Sequence, residues 1–294
     1  MKLRRKIAQS DFTADMLPST RPEVFKDVLR LHWFVFIKLG LLLLVVYLPI
    51  LMINVLNDAY EIRRIEELAE NATVEIIQTA LGEIVSFRSS SAVICIIFYV
   101  LFGVVLSGIL RAIRQFVWEE IVFLWKDIWK GIRQNKVQAA GIFTIIGLQN
   151  LVGIYLVGTG QATGNQMFSM IGTIFNGMSL LLFFPVWALM LVQISVYSNN
   201  FVQNMKLAFA VYAKSILKTL MVLLALAIPW CISLLPNFWC HLIGQVLGVF
   251  LLPVMLLIWF LYVFSLLDKH INPIYFPEIV GKGLHKKKAD SDDL

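Results

Sequence analysis

Six stretches of the chain are apolar almost without interruption: residues 31–56, 92–110, 139–158, 170–197, 216–235 and 242–267. A helix rises 1.5 Å per residue, so about 20 such residues cross a hydrocarbon core of ~30 Å. Each stretch therefore predicts a membrane-spanning helix. All 19 Asp and Glu residues fall outside the six, as expected where a carboxylate at mid-bilayer is costly. Aromatic residues that favour the membrane interface, such as Trp33, Tyr197, Trp239 and Tyr262, lie at their flanks. The expected fold is all-α, a polytopic bundle of six transmembrane helices.

Between the spans the pattern becomes periodic. In 57–91, Ile62, Ile65, Ala69, Ala72, Ile76, Ala80, Ile84 and Phe87 recur at spacings of three and four, which predicts an amphipathic helix ~40 Å long if continuous. Seven acids against three arginines make this segment negative. It could cap the bundle, extend the first two spans as a hairpin, or bind a partner. The segment 111–136, RAIRQFVWEEIVFLWKDIWKGIRQNK, predicts a second amphipathic helix. Ile113, Val117, Ile121, Leu124 and Ile128 form one stripe, and Trp118, Val122, Trp125 and Trp129 form another. Two readings compete for it. An interfacial helix would bury these rings among lipid headgroups, whereas a docking helix would offer Trp118, Trp125 and Trp129, with Lys126, Lys130 and Arg133, to a partner's groove. Residues 198–216 repeat the amphipathic character more weakly through Phe201, Met205, Ala208, Phe209 and Tyr212. The chain turns at Asn272-Pro273, and its last residues, with Lys286-Lys287-Lys288 and then Asp290, Asp292 and Asp293, read as a solvated end.

Composition agrees with the spans. Of 294 residues, 59% are apolar and 15% charged, against about 45–50% and about 25% in soluble domains, which excludes a soluble globular fold. Charge adds orientation. Twenty-one Lys and Arg residues lie in the two tails and in the segments 111–136 and 198–218, whereas the other connections hold only Arg63, Arg64 and Arg88. Basic residues near span ends resist translocation, so both termini are expected in the cytoplasm. The organisation expected is a cytoplasmic tail 1–30, a membrane domain 31–267 with external loop 57–91, and a cytoplasmic tail 268–294. The basic start runs into the polar Gln9-Ser10-Asp11, not into the apolar core of a signal peptide. The balance gives no reason to expect nucleic acid as a partner.

The chemistry of sites is sparse. With no carboxylate in a span, an acidic proton relay or intramembrane aspartyl protease has no residues to work with. Lys38 is a charge inside the first span, about two turns in, where its stem can reach back to the interface. The polar span residues are Asn54, Gln149, Asn150, Asn176, Gln193 and Gln245. They either bond between helices or line a path, and Gln149, Asn150, Asn176 and Gln193 are the candidate solute lining. The three cysteines and four histidines have no metal-ligand spacing, so neither metal nor cofactor is expected. Ser179 with His241 as base is a remote nucleophilic pairing. Gly158, Gly160 and Gly164 read as a hairpin turn rather than a phosphate loop. Asn71-Ala72-Thr73 fits a glycosylation sequon, which has no meaning in a bacterium.

Several strings taken together resemble one family. Leu110-Arg111, Glu119-Glu120, Phe123-Leu124-Trp125-Lys126-Asp127 and Gln134-Asn135-Lys136-Val137-Gln138 are similar to the YesL-like membrane proteins of Firmicutes, a domain of unknown function. The blocks Asp15-Met16-Leu17-Pro18 to Leu31-His32-Trp33 and Asp268-Lys269 to Gly281-Lys282-Gly283-Leu284 resemble gut clostridial members. The chain departs from that pattern in carrying the acidic segment after Pro49, and in keeping only Gly103, Ser107 and Gly108 of the small-residue stretch before Arg111. The resemblance implies a bacterial plasma-membrane protein encoded near carbohydrate-uptake genes, and it carries over no catalytic or ligand-binding residue. The function expected is a non-enzymatic one, accessory or regulatory to carbohydrate uptake through contact with a membrane partner such as a carbohydrate ABC transporter. The alternative is a permease for a small neutral solute such as a sugar.

Overall fold

The computed structural model describes residues 17–68, 73–235 and 237–285. Helices account for nearly all of them: α1 (Arg21–Glu66), α2 (Val74–Val117), α3 (Leu124–Ala162), α4 (Gln166–Met178), α5 (Phe184–Val196), α6 (Phe201–Leu226), α7 (Phe238–His270) and the short α8 (Asn272–Tyr275). A π-helical turn, Ser179–Phe183, joins α4 to α5, and a 3₁₀ segment, Ile228–Leu234, follows α6. Six helices among the described residues are long and apolar enough to cross a membrane, with α4 to α5 counted as one. The protein is thus a multi-pass membrane bundle.

Several elements differ from the simple pattern, each for a local reason. The amphipathic segment 111–136 is not one helix. Its first turns end α2, the chain reverses over 118–123, and the remainder starts α3. The reversal is a Schellman cap. Glu120 N–H donates to the Gln115 carbonyl (3.0 Å) and Glu119 N–H to that of Phe116 (3.3 Å), with Glu119 at φ 56°, a conformation that glycine usually supplies. Across the turn, Phe123 N–H donates to the Asp127 carboxylate (2.7 Å) and starts α3. The acidic segment 57–91 takes the hairpin form: α1 and α2 run on past their apolar stretches, each about 15 Å or more. Ala69 and Ala72, like Asn71 of the sequon, lie outside the described residues, as do Asp15, Met16 and the terminal Lys286 to Asp293.

The expected N-terminal tail is helical from Arg21, where the Glu23 carboxylate accepts from the N–H groups of Ser19 (2.7 Å) and Thr20 (3.2 Å). A kink at His32 (φ −122°, ψ 18°) separates this piece from the first span. A second kink at Ser215 (φ −140°, ψ 22°) divides the amphipathic part of α6 from the fifth span. That span was expected to run to 235, but its α-helix stops at Leu226 and continues as the 3₁₀ segment holding Pro229. The π turn has a cause too. Pro185 has no N–H, so the Leu181 carbonyl four residues earlier loses its helical donor, and the Tyr212 hydroxyl donates to it instead.

Most of the fully buried side chains lie in the half of the bundle that carries both ends of the described chain, among them Ile109, Leu110, Ile113 and Val117 of α2, Leu189 and Met190 of α5, and Phe260, Phe264 and Leu267 of α7. Residues 271–285, part of the expected C-terminal tail, close this terminal end. His285 N–H donates to the Pro18 carbonyl (2.9 Å), its ring meets Glu119, and Lys282 Nζ lies 4.4 Å from the centroid of Trp118. At the opposite, hairpin end, the helices part around a cleft.

Candidate functional site

The cleft has a volume of about 290 Å³ and is walled by α1, α2, α3 and α7. Its polar lining follows helical spacing on each wall. Asn54, Asn57 and Asp58 share a face of α1, Arg88, Cys95 and Tyr99 one of α2, and His241 and Gln245 one turn of α7, while Asn150 comes from α3. Gln245 is the hub. Its Oε1 accepts from the Tyr47 hydroxyl (3.2 Å) and from Asn54 Nδ2 (3.3 Å), and its Nε2 donates to His241 Nε2. That leaves His241 Nδ1 to donate to the Ser233 carbonyl at 3.2 Å. Gln245 therefore ties α1 to α7 and, through His241, α7 to the 3₁₀ segment.

At the rim one arginine serves two carboxylates. Arg88 pairs with Glu61 and lies 3.7 Å from Asp58, whose other oxygen is 3.7 Å from His241 Nε2. Farther along the hairpin, Arg64 bridges Glu67 (2.7 Å) and Glu83. Hydrogen bonds from Arg64 and then Arg63 hold the Glu67 carboxyl below its ordinary range. Tyr60 stacks on Phe87 with centroids 4.3 Å apart, so the hairpin is zipped by side chains of both helices. Two polar side chains of the cleft lack a full set of partners, and one of them, Asn150, is open to a ligand. Asn57 Oδ1 is buried without a partner among the described residues, and Asn150 is exposed and makes no hydrogen bond among them. A site lined by amides that both donate and accept suits hydroxyl groups.

The four amides expected to line a path are not gathered in one place. Asn150 lines the cleft. Gln149 Oε1 instead accepts from Trp187 Nε1 (3.3 Å), and Asn176 fills the space over Gly153, where a Cβ would meet its Oδ1 at 1.9 Å. Gln193 is fully buried in α5, and neither of its amide atoms has a partner among the described residues. Lys38 is exposed on α1 and forms no ion pair among the described residues. Ser179 and His241 do not pair: the Ser179 hydroxyl is buried without a partner, whereas His241 is held by Gln245 and Ser233. No cluster of three His, Cys, Asp or Glu suited to a metal ion occurs among the described residues. What the sequence reading missed is Asn57, Asp58, Arg88 and His241. Their signal was the recurrence of polar residues one turn apart on three helices at the same end.

The candidate docking residues divide at the 118–123 turn. Trp118 packs inward, its ring 5.8 Å from that of Phe264 and 4.8 Å from the Arg114 guanidinium carbon. Trp125 and Trp129, 60% and 55% exposed, lie one turn apart at the start of α3 with Lys126, Lys130 and Arg133. Arg133 covers the Trp129 ring at 5.3 Å. This leaves a basic, aromatic face at the terminal end of the bundle.

No family model, no curated protein and no solved structure matches this chain.

Proposed function

We propose that the protein is a non-enzymatic plasma-membrane protein that takes a small neutral, hydroxyl-rich solute such as a sugar into the cleft from outside the cell, as the first step of a permease. The observation that carries the reading is the amide-lined cleft at the end of the bundle opposite residues 17 and 285. Its outward orientation rests on the excess of Lys and Arg toward the terminal end. The packed terminal half supplies the closed side that an outward-facing state needs. Purified protein should bind a neutral mono- or disaccharide from a panel by calorimetry. Replacing Gln245 with leucine should weaken that binding about tenfold or more, since it leaves Tyr47, Asn54 and His241 without their shared partner. Absence of binding by every neutral sugar would overturn the reading.

A second reading is favoured by the exposed pair Trp125 and Trp129 with its basic neighbours, together with the resemblance to YesL-like proteins. Here the chain is an accessory protein of carbohydrate uptake and docks this face on a membrane partner such as a carbohydrate ABC transporter. Truncating a tryptophan hot spot costs about 2 kcal/mol, or roughly thirtyfold in affinity. Trp125→Ala with Trp129→Ala should then abolish co-purification of the transporter while the protein stays monodisperse. Unchanged recovery of the transporter would sink the docking role and leave the two rings to the lipid interface.

A further inference from the structure

A second cavity of about 390 Å³ adjoins the cleft, between α1, α2, α3, α5, α6 and α7. Its walls are aromatic and aliphatic, among them Phe102, Phe143, Trp187, Leu252 and Trp259. The two cavities share a wall. Tyr99 lines both, and Tyr47 presents its ring to the apolar chamber while its hydroxyl bonds Gln245 of the cleft. The chamber has the size of a small-ligand site, yet offers a polar solute or water almost nothing to bond, and apolar cavities of this kind stay dry or take apolar guests. A free sugar in the cleft would make no use of it.

We infer that the ligand is a single-chain amphiphile with an uncharged, hydroxyl-rich head, an alkyl glycoside in its chemistry, whose head sits in the cleft and whose chain enters the chamber past Tyr47 and Tyr99. The inference deepens the solute-binding reading and rests on it. An anionic head does not fit because the cleft has no spare cation: Arg88 is its one Lys or Arg and is taken by Glu61 and Asp58. A phosphate head would have to break that pairing, whereas sugar hydroxyls can bond the exposed amide of Asn150 as it stands.

Three tryptophans, Trp187, Trp230 and Trp259, line the chamber and make it readable. The test uses the full chain in phosphatidylcholine nanodiscs, an alkyl glucoside brominated on its chain as quencher, and a brominated alkyl phosphocholine of the same length as control. The expected result is saturable quenching by the glucoside at concentrations at least tenfold below those the control needs, with free glucose competing. Ala188→Phe and the milder Ala227→Leu, both at the chamber wall, should each weaken the glucoside tenfold or more while free glucose still binds. Equal quenching by both amphiphiles would overturn the inference, since ordinary lipid contact would explain it. Glucoside quenching unaffected by both chamber variants would also overturn it. In either of those cases, retained glucose binding leaves the solute reading standing, whereas loss of binding by glucoside and glucose alike removes both.

Discussion

Replacing Asp268 with alanine lowers the stability of the purified protein by about 3 kcal/mol, read as an earlier thermal transition and as easier proteolysis of residues 271–285. Asp268 Oδ2 meets Arg21 Nη2 at 2.6 Å, and the two side chains are only 16% and 13% exposed. Its Oδ1 accepts from Asn272 Nδ2 (2.7 Å), and Asn272 Oδ1 accepts from the Tyr197 hydroxyl. Arg21 also donates to the Lys282 carbonyl (2.8 Å) and lies 4.7 Å from the centroid of Phe264. One carboxylate therefore joins the start of α1, the end of α7, the end of α5 and the C-terminal segment. Removing it strands a largely desolvated guanidinium, which costs more than the pair itself contributes. Asp268→Asn, which keeps much of the hydrogen bonding and loses the charge, should fall in between. Glu119→Ala breaks an exposed contact with His285 and should change stability by less than about 1 kcal/mol.

Gly40→Val is expected to disturb both the fold and the cleft. A Cβ at Gly40 would lie 2.4 Å from the backbone oxygen of Phe250 and 3.1 Å from its ring. A side chain can rotate away, but a carbonyl in the middle of α7 cannot, so α1 and α7 must separate. Overpacking of this kind costs about 1–3 kcal/mol. The same two helices carry Asn54 and Asp58 on one side and His241 and Gln245 on the other, so sugar affinity should fall together with stability. Gly82→Ala provides the contrast. Nothing lies within 4 Å of its added Cβ, and in a helix alanine is favoured over glycine by about 0.5–1 kcal/mol. It should leave binding unchanged and raise stability slightly.

The spans were legible because each is a long apolar run, and the boundaries at 31 and 216 were legible because the residues on either side differ in periodicity. The kinks at His32 and Ser215 fall within a residue of those changes. The reversal at 118–123 was not legible. It places a glutamate where glycine is the usual signal, and Trp118, Val122, Trp125 and Trp129 keep helical spacing straight across the break. Partner choice among the amides was equally hidden. Gln149 and Asn150 are adjacent in sequence yet face a tryptophan N–H and an open cleft respectively, since neighbouring helical residues point about 100° apart. The cleft itself needs four helices that are far apart in sequence, and no local pattern reports how such helices are assembled.

The central claim, an outward cleft that holds a solute, is most directly tested by thiol labelling at Asn150. Asn150→Cys, in a chain whose Cys95, Cys231 and Cys240 are replaced by alanine, is treated on intact cells with a membrane-impermeant maleimide, with and without the bound sugar. The account predicts labelling from outside and protection by the sugar. Labelling only after the cells are permeabilised, or labelling that no solute slows, would contradict it.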